Sequence, residues 1–231
     1  DGEAFSLGIS LESATIHGDI IEMDSNVFKD CINLVSVLID GNVSSIGSSM
    51  FANCISLFSV DILGNISIFE PECFANCKSL QVISIPDNIQ RIERSSFLSC
   101  LSLPSIVIPE KITTIESNLF YECTNLSSIE LLGEISFIND LAFYECSKLS
   151  SIEFNGINVS IKKSAFQQCT NLVNFTAFDV ATIGNSAFFN CYNLSSFIIT
   201  GNLLEIGEYA FESCSSLCSF PYMKNIQVIN V

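Results

Sequence analysis

The sequence is poor in histidine and in positive charge. His17 is its only histidine, and 9 lysines and arginines stand against 25 aspartates and glutamates, a formal net charge of −16. Such a surface repels nucleic acid and anionic membranes at long range. One histidine leaves little for histidine-dependent nucleophilic catalysis or for a histidine-ligated metal. We therefore expect no enzyme, no nucleic-acid partner, and no metal or other cofactor.

Long apolar runs are absent as well. No stretch approaches the roughly 18 apolar residues that a membrane-spanning helix needs, so direct membrane insertion of this segment is not expected. Calcium is disfavoured because no oxygen-rich loop has EF-hand spacing. The chain begins at Asp1 rather than at methionine. We expect any targeting sequence to have been removed or to lie outside this segment.

One motif, Phe-x-x-Cys-x-x-Leu, recurs through almost the whole chain. Its nine copies are 23 residues apart, except for one step of 22, and they start at Phe28, Phe51, Phe74, Phe97, Phe120, Phe143, Phe166, Phe188 and Phe211. A degenerate copy without the cysteine starts at Phe5. A fixed period of roughly 20–50 residues indicates a solenoid, whose units bury their apolar side only against their neighbours. We predict a single solenoid domain over residues 1–231. Neither end shows a polar cap, so we expect either a longer array in the full protein or an edge left for a partner.

The residues between the motifs predict the shape of one turn. Alternating apolar pairs such as Ile83/Ile85 predict a short strand, and a second apolar pair such as Ile89/Ile92 predicts another extended piece. The spacing of three in Phe51/Cys54 predicts a helical turn. The expected fold class is therefore a β-rich α/β solenoid of about ten turns, with one short parallel strand and a helical turn per repeat.

The cysteines are predicted to be reduced core residues. Nine of the 11 belong to the motif. Equivalent positions in stacked turns point the same way, roughly 5 Å apart, whereas a disulfide needs converging Cβ vectors. The cysteine content therefore does not identify the compartment.

The combined pattern Leu-x-x-Ile-x-Ile-Pro, Ile-x-x-Ile, Ala-Phe-x-x-Cys-x-x-Leu resembles the BspA-type leucine-rich repeat, a 23-residue class found in surface proteins of bacteria and parasitic protists. The resemblance extends from Phe5 to Ile229. It implies a right-handed leucine-rich-repeat solenoid and, as a role, adhesion to host or bacterial surfaces or to extracellular matrix; it carries no catalytic motif. The chain departs from the pattern where aromatic or small residues replace the usual isoleucine, at Phe175, Ala177, Phe197 and Phe220.

The strand residues between the core positions predict one outward face. Its first outward position is serine in eight of ten turns, which indicates either a polar track for a partner or a ladder of hydrogen-bonded hydroxyls. Apolar and acidic residues at the next positions give the candidate partner-binding set Leu38, Asp61, Leu63, Val107, Glu130, Leu132, Glu153, Phe178 and Ile198. Stacked Glu130 and Glu153 would repel each other unless a cation or a basic partner neutralised them. An ordinary solvated face is the alternative.

These observations favour a non-catalytic binding protein. The expected function is a protein-binding or adhesion surface that holds host or matrix proteins through the strand face, in a protein that is secreted or at the cell surface. The alternative is an intracellular, cytoplasmic scaffold that docks into a larger assembly, with end-to-end contacts between its open ends. Six Asn-x-Ser/Thr sequons support secretion only weakly, because several are expected by chance. The identity of the protein ligand stays open.

Overall fold

A computed structural model describes residues 4–20, 23–220 and 228–229. The chain forms a parallel β-solenoid with two rows of short strands. The row that forms the strand face consists of β1 (Ser13–His17), β2 (Ser36–Asp40), β4 (Ser59–Ile62), β6 (Val82–Ile83), β8 (Ser105–Ile108), β10 (Ser128–Leu131), β12 (Ser151–Phe154), β14 (Asn174–Ala177) and β16 (Ser196–Ile199). The second row consists of β3 (Val43–Ile46), β5 (Ile66–Phe69), β7 (Arg91–Ile92), β9 (Thr114–Ile115), β11 (Phe137–Ile138), β13 (Val159–Ile161), β15 (Val180–Ile183), β17 (Glu205–Ile206) and β18 (Val228–Ile229).

The solenoid has about nine turns, so the prediction of ten is wrong. Among the described residues nine strands make up the strand face, and residues 217–220, which begin the tenth copy, form no strand. The sequence places Pro221 next, and its ring nitrogen has no hydrogen to donate to the preceding turn.

The predicted helical turn is also wrong, because the Phe-x-x-Cys segment is a series of tight turns and no described residue is helical. Ser49 and Asn53, two residues before and after Phe51, have left-handed φ values of 52° and 63°. The Phe51 N–H donates across to the next turn, to the carbonyl of Cys73 at 2.8 Å, whereas the Cys54 N–H donates back to Phe51 at 3.1 Å. A helix would direct every N–H four residues back. Instead, alternate N–H groups donate to the next turn of the solenoid. The Phe-x-x-Cys segments, which we call the turn side, therefore form a third row of inter-turn hydrogen bonds.

The phenylalanines of the motif form the spine of the core. From Phe5 to Phe211 each ring stacks on the next, with centroids 5.0–5.7 Å apart. In the last third, Phe175 and Phe197 add a second stack 5.1 Å apart, set edge-on against Phe188. The aromatic departures from the repeat pattern therefore alter the packing and leave the architecture intact.

The motif cysteines link consecutive turns. The thiol of Cys77 donates to the carbonyl of Phe51 in the previous turn at 3.1 Å, and the same carbonyl also accepts the N–H of Cys54. Every motif cysteine makes the equivalent thiol bond, at 3.0–3.3 Å. All eleven are free thiols, ten of them buried and Cys218 exposed, so the predicted burial of the motif cysteines is confirmed.

We expect this burial to control thiol reactivity. A thiol-alkylating reagent applied to the native protein should label Cys218 and few others, because a buried thiol is neither accessible nor ionised. In the denatured, unreduced protein the reagent should label most of the cysteines. Intact-mass spectrometry counts the adducts, and a product with four or five disulfides would contradict the stacked arrangement.

The single 22-residue step has its deletion in the corner between the strand face and the second row. Phe154 pairs with Ala177 across the strand face, but Val159 pairs with Val180, and the register then shifts by one residue. The shortened segment therefore avoids the phenylalanine and cysteine rows.

Candidate partner-binding face

Alternation along each strand separates core from surface. In β8, Ile106 and Ile108 are buried while Ser105 and Val107 point outward. The parallel register repeats this alternation from turn to turn, as in the pairing of Val107 with Glu130. The outward residues of successive turns therefore lie side by side on the strand face.

The structure places eight of the nine candidate residues on the exposed surface. Leu63 is 71% exposed, Ile198 53%, Leu132 50% and Val107 47%. Leu38 is the exception, since it is half-buried and pairs with exposed Asp61 of the next turn. The remaining exposed candidates are Glu130, Glu153 and Phe178.

The two stacked glutamates lie where the strand face lacks ladder pairing. Glu130 is on β10 and Glu153 on β12, which are neighbouring strands. In the described chain these strands belong to separate sheets, with β10 paired to β8 and β12 paired to β14. Like charges directly opposite each other disfavour strand pairing, and ladder pairing is absent at this position.

The serines at the strand starts do not form the hydroxyl ladder that was one of their two interpretations. Ser13, Ser36 and Ser59 lie in register, yet no side-chain hydrogen bond joins strand-start serines anywhere in residues 13–196. Their hydroxyl groups therefore leave a polar, low-profile track along the edge of the face.

The sequence analysis missed an apolar patch in the first three turns. Ile32, Ile55, Val35 and Phe58 are each 40–46% exposed, and Ile9 is 59% exposed. Phe58 directly precedes β4, so the patch borders the strand face. Later turns carry mostly polar residues at the two repeat positions concerned, and this difference between early and late copies was the signal available.

In the part of the chain that the structure describes, the strand face carries acids but no lysine or arginine. Its carboxylates include Asp40, Asp61, Glu130 and Glu153, while the basic residues among the described ones occupy the corners, the second row and the turn side. Its single imidazole, that of His17, lies 2.9 Å from the Asp40 carboxylate. A partner approaching this face therefore meets negative and apolar groups.

The side chains of the described residues offer no reactive constellation. No group of histidine, cysteine or acidic residues suited to a metal ion occurs in residues 4–20 and 23–220. Burial raises the pKa of the Cys123 thiol to about 12, which keeps it protonated and non-nucleophilic at neutral pH. Within the same described ranges, there is no helix with the length and apolarity to span a membrane.

Parallel turns built on repeating Phe, Cys and Leu rows define a leucine-rich-repeat solenoid. The family model for the BspA type leucine rich repeat region matches residues 1–127 and 137–231 in six copies. The chain belongs to this family, as the resemblance predicted. Its members are generally non-enzymatic repeat scaffolds, and leucine-rich repeats commonly mediate protein interactions.

Several solved structures share the fold. A leucine rich cell surface protein from Faecalibacterium prausnitzii A2-165 is 24% identical with a TM-score of 0.54, over 95% of this chain and 77% of that one. A T. pallidum leucine rich repeat protein is 24% identical with a TM-score of 0.58, over 69% of this chain and 78% of that one. A leucine-rich repeat protein from Bacteroides ovatus ATCC 8483 is 25% identical with a TM-score of 0.52, over 94% of this chain and 68% of that one. No curated protein matches the chain.

Proposed function

We propose that the strand face is a non-catalytic binding site for a protein partner. The observation that carries the proposal is the exposure of large apolar side chains at its outward positions, above all Leu63 at 71% and Leu132 at 50%. Exposed apolar groups rimmed by polar ones mark interaction surfaces. The serine track and the patch around Phe58 extend the same surface.

The charges of the face favour a partner with basic groups around apolar anchors. Glu130 lies two residues before the exposed Leu132, and Glu153 occupies the position of Glu130 on the next turn; no lysine or arginine among the described residues of the face competes for them. Complementary charge accelerates approach and selects the partner, while buried apolar anchors supply most of the binding energy. A cationic segment would also relieve the repulsion between the two glutamates.

We place this binding in adhesion, by a protein that is secreted or at the cell surface. The F. prausnitzii protein that shares the fold is a cell surface protein. A continuous repeat surface, on which the described residues form no metal-binding group, suits attachment to host-cell or matrix proteins better than chemistry.

The test compares variants of the face for binding to a panel of immobilised matrix proteins and host-cell surfaces. For any ligand that binds, Leu63→Ser with Leu132→Ser should weaken affinity about tenfold or more, because central apolar contacts dominate interface energies. Glu130→Gln with Glu153→Gln should chiefly slow association and reduce its salt dependence. Surface plasmon resonance at two salt concentrations separates the two effects.

Matched controls lie off the face, on the turns of Leu132 and Glu153 or on the turn before them. Glu122→Gln with Glu145→Gln removes the same charge from the turn side, and Ile157→Ser removes an apolar side chain that is 67% exposed in a corner. Both should leave binding within about twofold of the unaltered chain, since neither surface touches the partner. Equal losses for face and control variants would place the contact elsewhere, on the turn side or at the ends.

A further inference from the structure

The boundary between the turn of residues 80–102 and the turn of residues 103–125 lacks strand pairing in both rows. On the strand face β6 and β8 belong to separate sheets, and in the second row β7 and β9 do as well. Elsewhere within residues 34–216, every boundary between turns retains pairing in at least one row. We call this interface the proline boundary.

Proline removes two of the four flanking hydrogen bonds that would cross it. One turn later, Ser127 donates its N–H to Pro104 and Leu132 donates to Ile108. The residues at the corresponding positions of the proline boundary are Pro104 and Pro109, whose nitrogens carry no hydrogen. The strand face therefore cannot form these two bonds at the proline boundary.

The second row also lacks its hydrogen bonds at this boundary, although no proline occupies the donor positions there. On the preceding boundary Gln90 and Glu93 donate to Ser67 and Phe69, at 2.8 and 2.9 Å. At the proline boundary the equivalent donors, Thr113 and Glu116, make no such bond. A cleft of about 180 Å³ lies there instead, lined by Gln90, Arg91 and Glu93 from one turn and by Thr113, Thr114 and Glu116 from the next.

The turn side is intact across the same boundary. Ser95, Phe97 and Ser99 donate their N–H groups to Ser117, Leu119 and Tyr121 at 2.7–3.1 Å. The Cys123 thiol donates to Phe97 at 3.1 Å, and the Phe97 and Phe120 rings stack 5.7 Å apart. One edge of the boundary is therefore bonded while the two strand edges are not.

We infer that the proline boundary is a hinge that divides the strand face into two blocks, one before Leu103 and one after it. Opening separates the unpaired strand edges and pivots on the turn side, where the inter-turn bonds remain. Asp61 and Leu63 lie in the first block, and Val107, Glu130 and Leu132 lie in the second. On the proposed function above, a partner that spans both blocks meets a face whose curvature adjusts to it.

The experiment measures distance distributions between spin labels by pulsed electron paramagnetic resonance. Asp61→Cys with Glu153→Cys spans the hinge, and Val107→Cys with Ile198→Cys spans the same number of turns beyond it, each pair roughly 19 Å apart at about 4.8 Å per strand. All four sites are exposed. The background carries Cys218→Ser, so that the buried thiols are the only other cysteines.

The hinge-spanning pair should give a distribution about twice as wide as the control pair. Pro104→Ser with Pro109→Leu introduces the residues of the next turn, Ser127 and Leu132, restores both donors, and should narrow the distribution to the control width. Pro86→Leu, at the preceding boundary where second-row pairing is intact, should change nothing. Two outcomes would overturn the hinge. One is that the hinge-spanning and control pairs give distance distributions of equal width in the unaltered chain. The other is that Pro104→Ser with Pro109→Leu leaves the width of the hinge-spanning pair unchanged.

Amide exchange gives a second readout that needs no substitution. The N–H groups of Thr113 and Glu116 should exchange at least about tenfold faster than those of Ser136 and Asn139, their bonded equivalents one turn later. Equal protection would also contradict the hinge. Both measurements are made without a partner, so failure of the hinge and failure of the proposed binding function are told apart.

Discussion

Replacement of Phe120 by alanine should lower the free energy of unfolding by about 3–5 kcal/mol, the range for deleting a buried aromatic side chain. Phe120 is fully buried, and its ring stacks on Phe97 at 5.7 Å and on Phe143 at 5.4 Å. The substitution leaves a cavity between two neighbours that are themselves fixed by the next turns. Denaturant melts followed by circular dichroism measure the loss.

The matched substitution is Phe5→Ala at the end of the same stack. Phe5 is 54% exposed and stacks on one ring only, that of Phe28 at 5.3 Å. Its replacement should cost much less, about 1 kcal/mol, because most of its surface is already in water. Comparable losses at the two positions would mean that the rings do not stack in this order.

The protein should unfold cooperatively in mild alkali, between about pH 9.5 and 11. Burial raises the pKa of the Cys54 thiol to about 12 from an ordinary value of 9.0. The pKa is likewise raised, mainly by burial, at Cys73, Cys77, Cys100, Cys123, Cys146, Cys169 and Cys191. These thiols stay protonated in the folded chain when the unfolded chain has already lost their protons. Their stabilising contribution is thus complete below about pH 9 and is lost as the pH rises toward the folded value.

The slope of this loss should be steep because the thiols act together. Each costs about 1.4 kcal/mol per pH unit above the unfolded pKa, so eight cost roughly 11 kcal/mol per unit. That is comparable with the whole stability of a domain, about 5–15 kcal/mol. Circular dichroism across a pH series, with denaturant melts at each pH, gives the slope.

A serine variant separates the thiols from general alkaline effects. Cys100→Ser, Cys123→Ser and Cys146→Ser together retain donors for the Phe74, Phe97 and Phe120 carbonyls but do not titrate in this range. The slope of stability against pH should therefore be shallower in the variant than in the unaltered chain, and the difference should be roughly 4 kcal/mol per pH unit. An unchanged slope would show that the buried thiols do not govern the transition.

The core rows were predictable from the sequence because the 23-residue period places identical side chains on top of one another. The helical turn was not, because a spacing of three suits a helical turn and a run of tight turns equally. The difference lies in the left-handed φ values, which occur at Asn53 and Asn76 but also at Leu141 and Tyr209. No residue type marks those positions in every copy.

The outward face was equally predictable, because alternation within each strand correctly places Val107 and Glu130 on the surface. Pairing between neighbouring strands was harder to foresee. Pro104 and Pro109 are visible in the sequence, but the loss of the Thr113 and Glu116 bonds appears only when both turns are seen together. The partner itself leaves no pattern in a single sequence, so the binding role of the face stays a prediction.

The regular step between bonded residues also limits how the chain can change in length. Phe51 bonds to Cys73 and Cys77 bonds back to Phe51, so each turn presents the same donors and acceptors to its neighbours. Removing one residue from these rows would displace every later side chain, whereas removing a whole repeat leaves both rows continuous. The one shortened repeat has its net deletion in the corner between Ala177 and Thr182. Duplication or loss of complete copies is therefore the route by which such a chain can lengthen or shorten over generations without building a new core.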